Sequence, residues 1–376
     1  MDQLVCATCS AAFPLDDPRW KCDCGGVLDV GLDAAFTPRF DRARISGLKP
    51  TMWRYREAIP IREDAPVVSF DEGMTPLLSV RIDGRPVWVK QDHLFPTGSY
   101  KDRGASVLIT QARALGVTEI VEDSSGNAGC AIAAYCARAG IAATIYVPQD
   151  TAPAKLAQIR SYGAALCCVP GTRQDTADAA WQAAQGSYYA SHSWNPFFLQ
   201  GTKTFAYEVC EQLGWRAPDT VVLPAGNGTL LLGAAIGFGE LLAAGIVDRR
   251  PRIVAVQAAA CAPLYEAFTH KLKALPPVQA QPTLAEGIAI ARPIRGPQML
   301  RAIAESGGGE CIAVGEDEIQ GALQQMCRQG FYIEPTAAAT IAGLRQYVAR
   351  APADELIVSA LTGHGLKATE KMLTLA

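Results

Sequence analysis

The chain has 376 residues, about half of them apolar, and a net charge of −3. That is enough chain for more than one domain of roughly 150 residues each. The near-neutral charge gives no electrostatic case for a nucleic-acid partner. The N-terminus, MDQLVCATCS, lacks the basic region followed by an apolar core that marks a signal peptide. The longest apolar stretches, such as LLLGAAIGFGELLAAGI, carry several Gly and a Glu. They read as buried elements, since a membrane span needs about 20 nearly uncharged apolar residues. Twelve cysteines without a signal peptide point to a reducing, cytoplasmic setting, with thiols or metal ligands in place of a disulfide frame.

Residues 1–35 read as a small separate module. Cys6-x2-Cys9, twelve intervening residues and Cys22-x-Cys24 make two thiolate knuckles, with Gly25 and Gly26 placed for tight turns. Four thiolates satisfy a tetrahedral Zn²⁺, and so short a module needs such a staple to fold. The expectation is a zinc-ribbon-like module with structural zinc, because no ligand position is left open. The alternative is four reduced cysteines on a loop, since the second pair has one spacer residue where two are usual.

From about residue 65, strand-like runs (VWVKQD, ATIYVP, TVVLPAG, RIVAVQA, LIVSALTG) alternate with helix-like ones (GASVLITQARALG, AGCAIAAYCARAG, KTFAYEVCEQLG) that end near a Gly. This pattern predicts an α/β fold of βαβ units and open, mainly parallel sheets. Ligands gather at the carboxyl ends of strands in such sheets. ALPPVQAQPT, 274–283, reads as an exposed loop.

Four stretches carry the chemistry. In FPTGSYKDRGA, 95–105, Lys101 follows a turn and opens an apolar helix, where dipole and burial depress an amine's pKa and suit it to a Schiff base with an aldehyde. An ordinary surface lysine is the alternative. In EDSSGNAG, 122–129, Ser124, Ser125, Gly126 and Asn127 precede an apolar helix, so free N–H groups and two hydroxyls form a nest for a carboxylate. Helix capping alone explains one of these residues but not the run. In LPAGNGTLLLG, 223–233, a strand runs into Gly226-Asn227-Gly228-Thr229, a turn able to cradle a phosphate. It matches neither a Walker A loop nor a dinucleotide fingerprint, and a glycine turn alone is a weak signal. In SALTGHGLK, 359–367, Thr362 ends a strand where its hydroxyl could meet a heteroaromatic nitrogen, or simply sit in a turn.

One ligand answers all four: pyridoxal 5'-phosphate with an amino-acid substrate beside it. With EGMTPL (72–77), PTGSYKDRG, SSGNAG, PAGNGT, GFYIEPTAAATIAGL (330–344) and LTGHGLK in order, the chain resembles the threonine synthase-like branch of fold type II, tryptophan synthase β-like, pyridoxal-phosphate enzymes. The resemblance covers nearly the whole chain, and the cysteine module is similar to one found in some members. It implies two α/β/α domains: a large cofactor-binding one from 36–95 and 196–376, and a small one from 96–195 carrying the carboxylate loop. It implies that Lys101 holds the cofactor and shuttles protons, and that Tyr100 fills an aromatic position. Asn127 would bond the cofactor's phenolic oxygen. Gly226, Asn227, Gly228, Thr229 and Leu230 would grip its phosphate, and Thr362 would face the pyridine nitrogen. Ser124, Ser125, Gly126, Asn127 and Ala128, with Ser193 and Phe198, would face the substrate. A homodimer is the family-level expectation.

Two positions depart from the pattern. The family's Asn-Pro-x-Arg segment, which reads a substrate phosphate, is matched by SWNPFF, placing Phe198 where the arginine belongs. Losing such a charge-assisted fork costs on the order of 1.5–3 kcal/mol. Ala128 stands where the family commonly has Thr. Ser193, His192 and Lys203 remain nearby as possible phosphate partners. The expected activity is elimination or replacement at the β or γ carbon of an amino acid. Threonine synthesis from O-phosphohomoserine is the most familiar case. The alternative is a β-eliminating or β-replacing enzyme on a serine- or threonine-type or specialised-pathway amino acid, whose substrate carries an uncharged side-chain group.

Overall fold

The structure, a computed structural model, describes residues 2–31, 40–151 and 153–375, the last without the side chains at 154 and 155. The expected module boundary at 35/36 lies outside the described residues. Two compact units emerge: Met1–Gly73 with Lys101–Thr202, and Met74–Tyr100 with Lys203–Ala376.

The first unit holds two sheets. Ala12–Pro14, Gln3–Cys6 and Leu28–Gly31 form a three-stranded antiparallel sheet in that order, with Leu4 opposite both Phe13 and Val30. Ala165–Val169, Ala142–Pro148, Glu119–Glu122 and Tyr188–Tyr189 form a four-stranded parallel sheet in that order. Among the described residues the N-terminal sheet has no core of its own. Leu4 and Leu28 are fully buried in the same cluster as Met52, Leu108, Ile132 and Phe198. The segment before Gly73, expected with the large domain, belongs here for a physical reason. Val68 donates its N–H to Thr110 Oγ1 at 2.9 Å and accepts from Ser106 Oγ at 2.8 Å, both on the helix Lys101–Ala114. The helix Asn127–Ala139 ends as expected at a glycine: Gly140 adopts φ 70° and donates to the Ala137 and Cys136 carbonyls.

The second unit is built on a six-stranded sheet in the order Glu310–Val314, Arg252–Ala258, Thr220–Pro224, Ile357–Ala360, Arg85–Lys90, Leu77–Ile82. All pairings are parallel except the last, so the sheet is mixed. That edge hairpin turns on Asp83-Gly84, with φ 48° and 85°, the two positive values that a two-residue turn of matching twist requires. The central strand Thr220–Pro224 is buried along its whole length, which explains why it reads as a continuous apolar run without alternation. Residues 275–283 form an irregular, largely exposed loop, as expected.

Candidate active site

The candidate residues divide between the two units, and the division falls between Tyr100 and Lys101.

In the first unit, Lys101 begins the helix Lys101–Ala114, which crosses the helix Pro196–Thr202. The crossing is closed by two glycines. A Cβ on Gly104 would lie 2.3 Å from the Phe198 ring, and one on Gly201 would lie 2.0 Å from the Arg103 carbonyl oxygen. Phe198 is fully buried, and its ring centroid is 5.5 Å from Lys101 Nζ. The expected carboxylate loop follows the strand Glu119–Glu122 and leads into the helix Asn127–Ala139. Ser124 is buried and accepts from the Gly126 N–H at 3.3 Å, while Ser125 and Asn127 are half-buried. Ala128 is buried, and the chain folds back so tightly that a Cβ on Gly129 would lie 1.8 Å from the Ser124 carbonyl oxygen. Ser193, also buried, donates its N–H to Ser191 Oγ at 3.4 Å.

Beside these residues lies a dyad. His192 Nδ1 is 2.8 Å from Glu122 Oε1, and both side chains are buried. At that distance an ion pair is feasible, but burial is the leading influence on both groups. It pushes the Glu122 carboxyl well above its ordinary value, an effect reinforced by Asp123. It pushes the His192 imidazole well below its own, with help from the positive charges of Lys101 and Arg173. Burial therefore opposes the charged form of both partners, the carboxylate and the imidazolium. Glu122 Oε2 is buried without a hydrogen-bond partner.

In the second unit, Tyr100 ties two of the expected motifs together. Its N–H donates to the Thr362 carbonyl at 3.1 Å, and its hydroxyl lies 2.9 Å from Thr229 Oγ1. Gly226, Gly228, Thr229 and Leu230 are buried and Asn227 half-buried, at the turn from Thr220–Pro224 into the helix Thr229–Ala243. Gly228 has φ 78°, and a Cβ there would lie 2.0 Å from Met299 Sδ. Thr362 follows Ile357–Ala360, and its Oγ1 is buried without a hydrogen-bond partner, as is Ser99 Oγ. These features fit pyridoxal phosphate: an orphaned hydroxyl where the ring nitrogen is expected, and a glycine turn that only a side-chain-free backbone can make.

Lys203 does not remain available for a phosphate. It is fully buried with Nζ 2.9 Å from Glu240 Oε1, and Glu240 also accepts from the Tyr207 hydroxyl. His192 is engaged by Glu122, and burial opposes its charged form. A third group escaped sequence reasoning. Arg173, exposed at the start of the helix Arg173–Ala183, exerts its positive charge on both His192 and Asp123. It lies far along the chain from each of the four motifs, so only the fold brings it near.

The four N-terminal cysteines converge as expected. The sulfurs of Cys6, Cys9, Cys22 and Cys24 lie within 4.8 Å of one another, with Cys6–Cys24 at 3.5 Å and Cys9–Cys22 at 3.6 Å.

The pyridoxal-phosphate dependent enzyme family matches residues 68–363, and the chain belongs to it. Its nearer likeness is to threonine synthases. It is 36% identical to that of Methanocaldococcus jannaschii over 96% of this chain and 92% of the relative, and 34% identical to that of Methanosarcina acetivorans over 98% and 92%. Among solved structures, the serine racemase from Dictyostelium discoideum is similar with a TM-score of 0.66 and 25% identity over 78% of this chain and 92% of that one. The protein is a threonine synthase-like, pyridoxal-phosphate-dependent lyase acting on a small amino-acid substrate. Among the described residues no helix is long and apolar enough to cross a membrane.

Proposed function

We propose that the reaction is the conversion of O-phosphohomoserine and water to threonine and phosphate. The Cγ–O bond breaks, phosphate leaves, and water supplies the hydroxyl at Cβ. The observation that carries this reading is the likeness to threonine synthases over nearly the whole chain. Bound pyridoxal phosphate supplies the electron sink that makes the amino acid's Cα–H labile. Lys101 Nζ holds the cofactor and moves the Cα proton. Backbone N–H groups of Gly226, Asn227, Gly228, Thr229 and Leu230 bind its phosphate, Tyr100 braces that turn through Thr229, and Asn127 orients the ring. Thr362 Oγ1 meets the pyridine nitrogen. A hydroxyl partner leaves that nitrogen mostly unprotonated, which suits elimination and replacement more than transamination. Ser124, Ser125 and the backbone N–H groups after them bind the substrate carboxylate, and Ser193 and Phe198 shape the side-chain end.

The phosphate of the substrate falls to Arg173 in this reading, since Lys203 and His192 are engaged elsewhere. Arg173→Gln should raise KM for O-phosphohomoserine about tenfold or more, the loss of one charge-assisted contact. Release of keto acid from L-serine should be unchanged. Parent enzyme that forms no threonine but releases keto acid from L-serine or L-threonine would establish the second reading instead, an eliminating or replacing enzyme on an uncharged side chain. Phe198, a buried ring at the position expected to read a charge, favours that second reading.

The Cys6, Cys9, Cys22 and Cys24 cluster fits one structural Zn²⁺ in a ribbon-like module, because four thiolates at this spacing complete a tetrahedral set. We read the working form as a cytoplasmic homodimer free of nucleic acid and membrane. Analytical ultracentrifugation tests the dimer.

A further inference from the structure

Trp20 stands two residues before Cys22 and is nearly buried. Its indole is enclosed by three rings: Tyr189 at 4.8 Å, Trp181 at 5.3 Å and Trp194 at 5.4 Å between centroids, the first and last edge-on. Two of these flank the substrate loops. The Tyr189 hydroxyl donates to Asp123 Oδ1 at 2.9 Å, and Asp123 directly precedes Ser124. Trp194 directly follows Ser193, in the loop that carries His192 and leads to Phe198.

The placement of Trp20 depends in turn on the second cysteine knuckle. Lys21 pairs with Val27, the Cys22 N–H donates to the Gly26 carbonyl at 3.0 Å, and the Gly25 N–H donates back to Cys22 at 2.9 Å. A Cβ on Gly26 would lie 2.7 Å from Cys6 Sγ, so the two knuckles are in close contact. No residue in this sequence of contacts belongs to the unit that carries Tyr100, the 226–230 turn and Thr362.

We infer that Trp20 is a positioning residue through which closure of the four-cysteine knuckles holds the carboxylate loop and the Ser193–Phe198 loop in place. Metal loss then weakens amino-acid binding more than cofactor binding. This rests on the reading of Ser124–Ala128 as the carboxylate site. The metal's part is to fix the knuckle backbone; the rings and the Tyr189 hydroxyl transmit the constraint.

The test uses purified holoenzyme titrated with L-threonine as the probe, followed by the visible absorbance of the cofactor. Cofactor affinity is measured separately on apoprotein, with far-UV circular dichroism as the check on folding. Trp20→Ala should weaken L-threonine binding about tenfold, and Tyr189→Phe, which removes only the hydroxyl contact to Asp123, about threefold. Trp20→Phe should stay within about twofold of the parent, because a ring still fills the site. Cofactor affinity should fall by a smaller factor than L-threonine affinity throughout, since Asn127 shares the carboxylate loop while Lys101 and the 226–230 turn do not. Chelating the metal from the parent should reproduce the Trp20→Ala loss, and chelation of Trp20→Ala should add little, as expected when one path carries both effects. Folded Trp20→Ala or Tyr189→Phe protein that binds L-threonine like the parent overturns the inference. If Trp20→Ala does not fold, Tyr189→Phe decides alone. Ser125→Ala is the control. If it leaves L-threonine binding unchanged, the carboxylate-site reading has failed. If it weakens binding while Tyr189→Phe does not, only the coupling has failed.

Discussion

His192 and Glu122 meet Nδ1 to Oε1 at 2.8 Å, both buried, where desolvation raises the carboxyl's pKa and lowers the imidazole's. An unfolded carboxyl titrates near 4.5 and an unfolded imidazole near 6.5. The lowered His192 contributes stability above the second value and loses it as pH falls towards its folded pKa. The raised Glu122 contributes below the first value and loses it as pH rises towards its folded pKa. Glu122→Gln removes the carboxyl's part and keeps a hydrogen-bonding amide. Its Tm relative to the parent should climb by about 2–4 °C between roughly pH 5 and pH 8. A difference that stays flat over that range would mean the parent carboxyl is ionised in the fold.

Lys101 should carry the cofactor. Holoenzyme should be yellow, and borohydride reduction should fix the cofactor mass on the peptide containing Lys101. Lys101→Ala should abolish turnover while retaining the fold. A label on another lysine, or residual turnover near the parent rate, rejects the assignment.

Thr362→Val separates two effects of one hydroxyl. In apoprotein the buried Oγ1 has no partner, so replacing it with a methyl should leave Tm unchanged or raise it, an effect of up to about 1–2 kcal/mol. Cofactor affinity should fall in the same variant. A parallel loss of apoprotein stability and cofactor affinity would show that the hydroxyl is already engaged within the protein.

Removing residues 1–31 should unfold the first unit and not merely strip an appendage. Leu4 and Leu28 are fully buried in its main cluster, and each contributes roughly 1.5–3 kcal/mol by leaving water. Elemental analysis of the intact chain should find about one zinc, as four thiolates closing a tetrahedron require. Truncated protein with parent-like thermal stability would contradict the shared core.

Much of this was legible in the sequence because backbone chemistry writes itself locally. The strands VWVKQD and TVVLPAG, the helix ending at Gly140, and the turn at Gly228 each follow from propensity, burial and φ. The cysteine spacing likewise foretold the cluster. What stayed hidden depends on distant partners. Nothing near Glu122 in the chain announces His192, and Lys203 reads as an available cation until Glu240 is brought against it. The 1–35 module reads as separate because its cysteines are conspicuous, whereas the leucines that join it to the larger core are not. Arg173 and Trp20 belong to no motif, and only packing gives them a place.

The contact of Phe198 with Gly104 bears on how this substrate preference could change over generations. The ring occupies the space that any side chain at residue 104 would need, and Gly201 is equally hemmed in by the Arg103 carbonyl. A lone Phe198→Arg change would thrust a guanidinium into a dry crossing near another cation, while a lone Gly104 change would collide with the ring. Neither first step is expected to be tolerated well, so a charge-reading arginine at residue 198 is not reached easily from the present packing. Selection for a new leaving group would more easily act on exposed positions such as Arg173 and leave this crossing as a fixed inheritance.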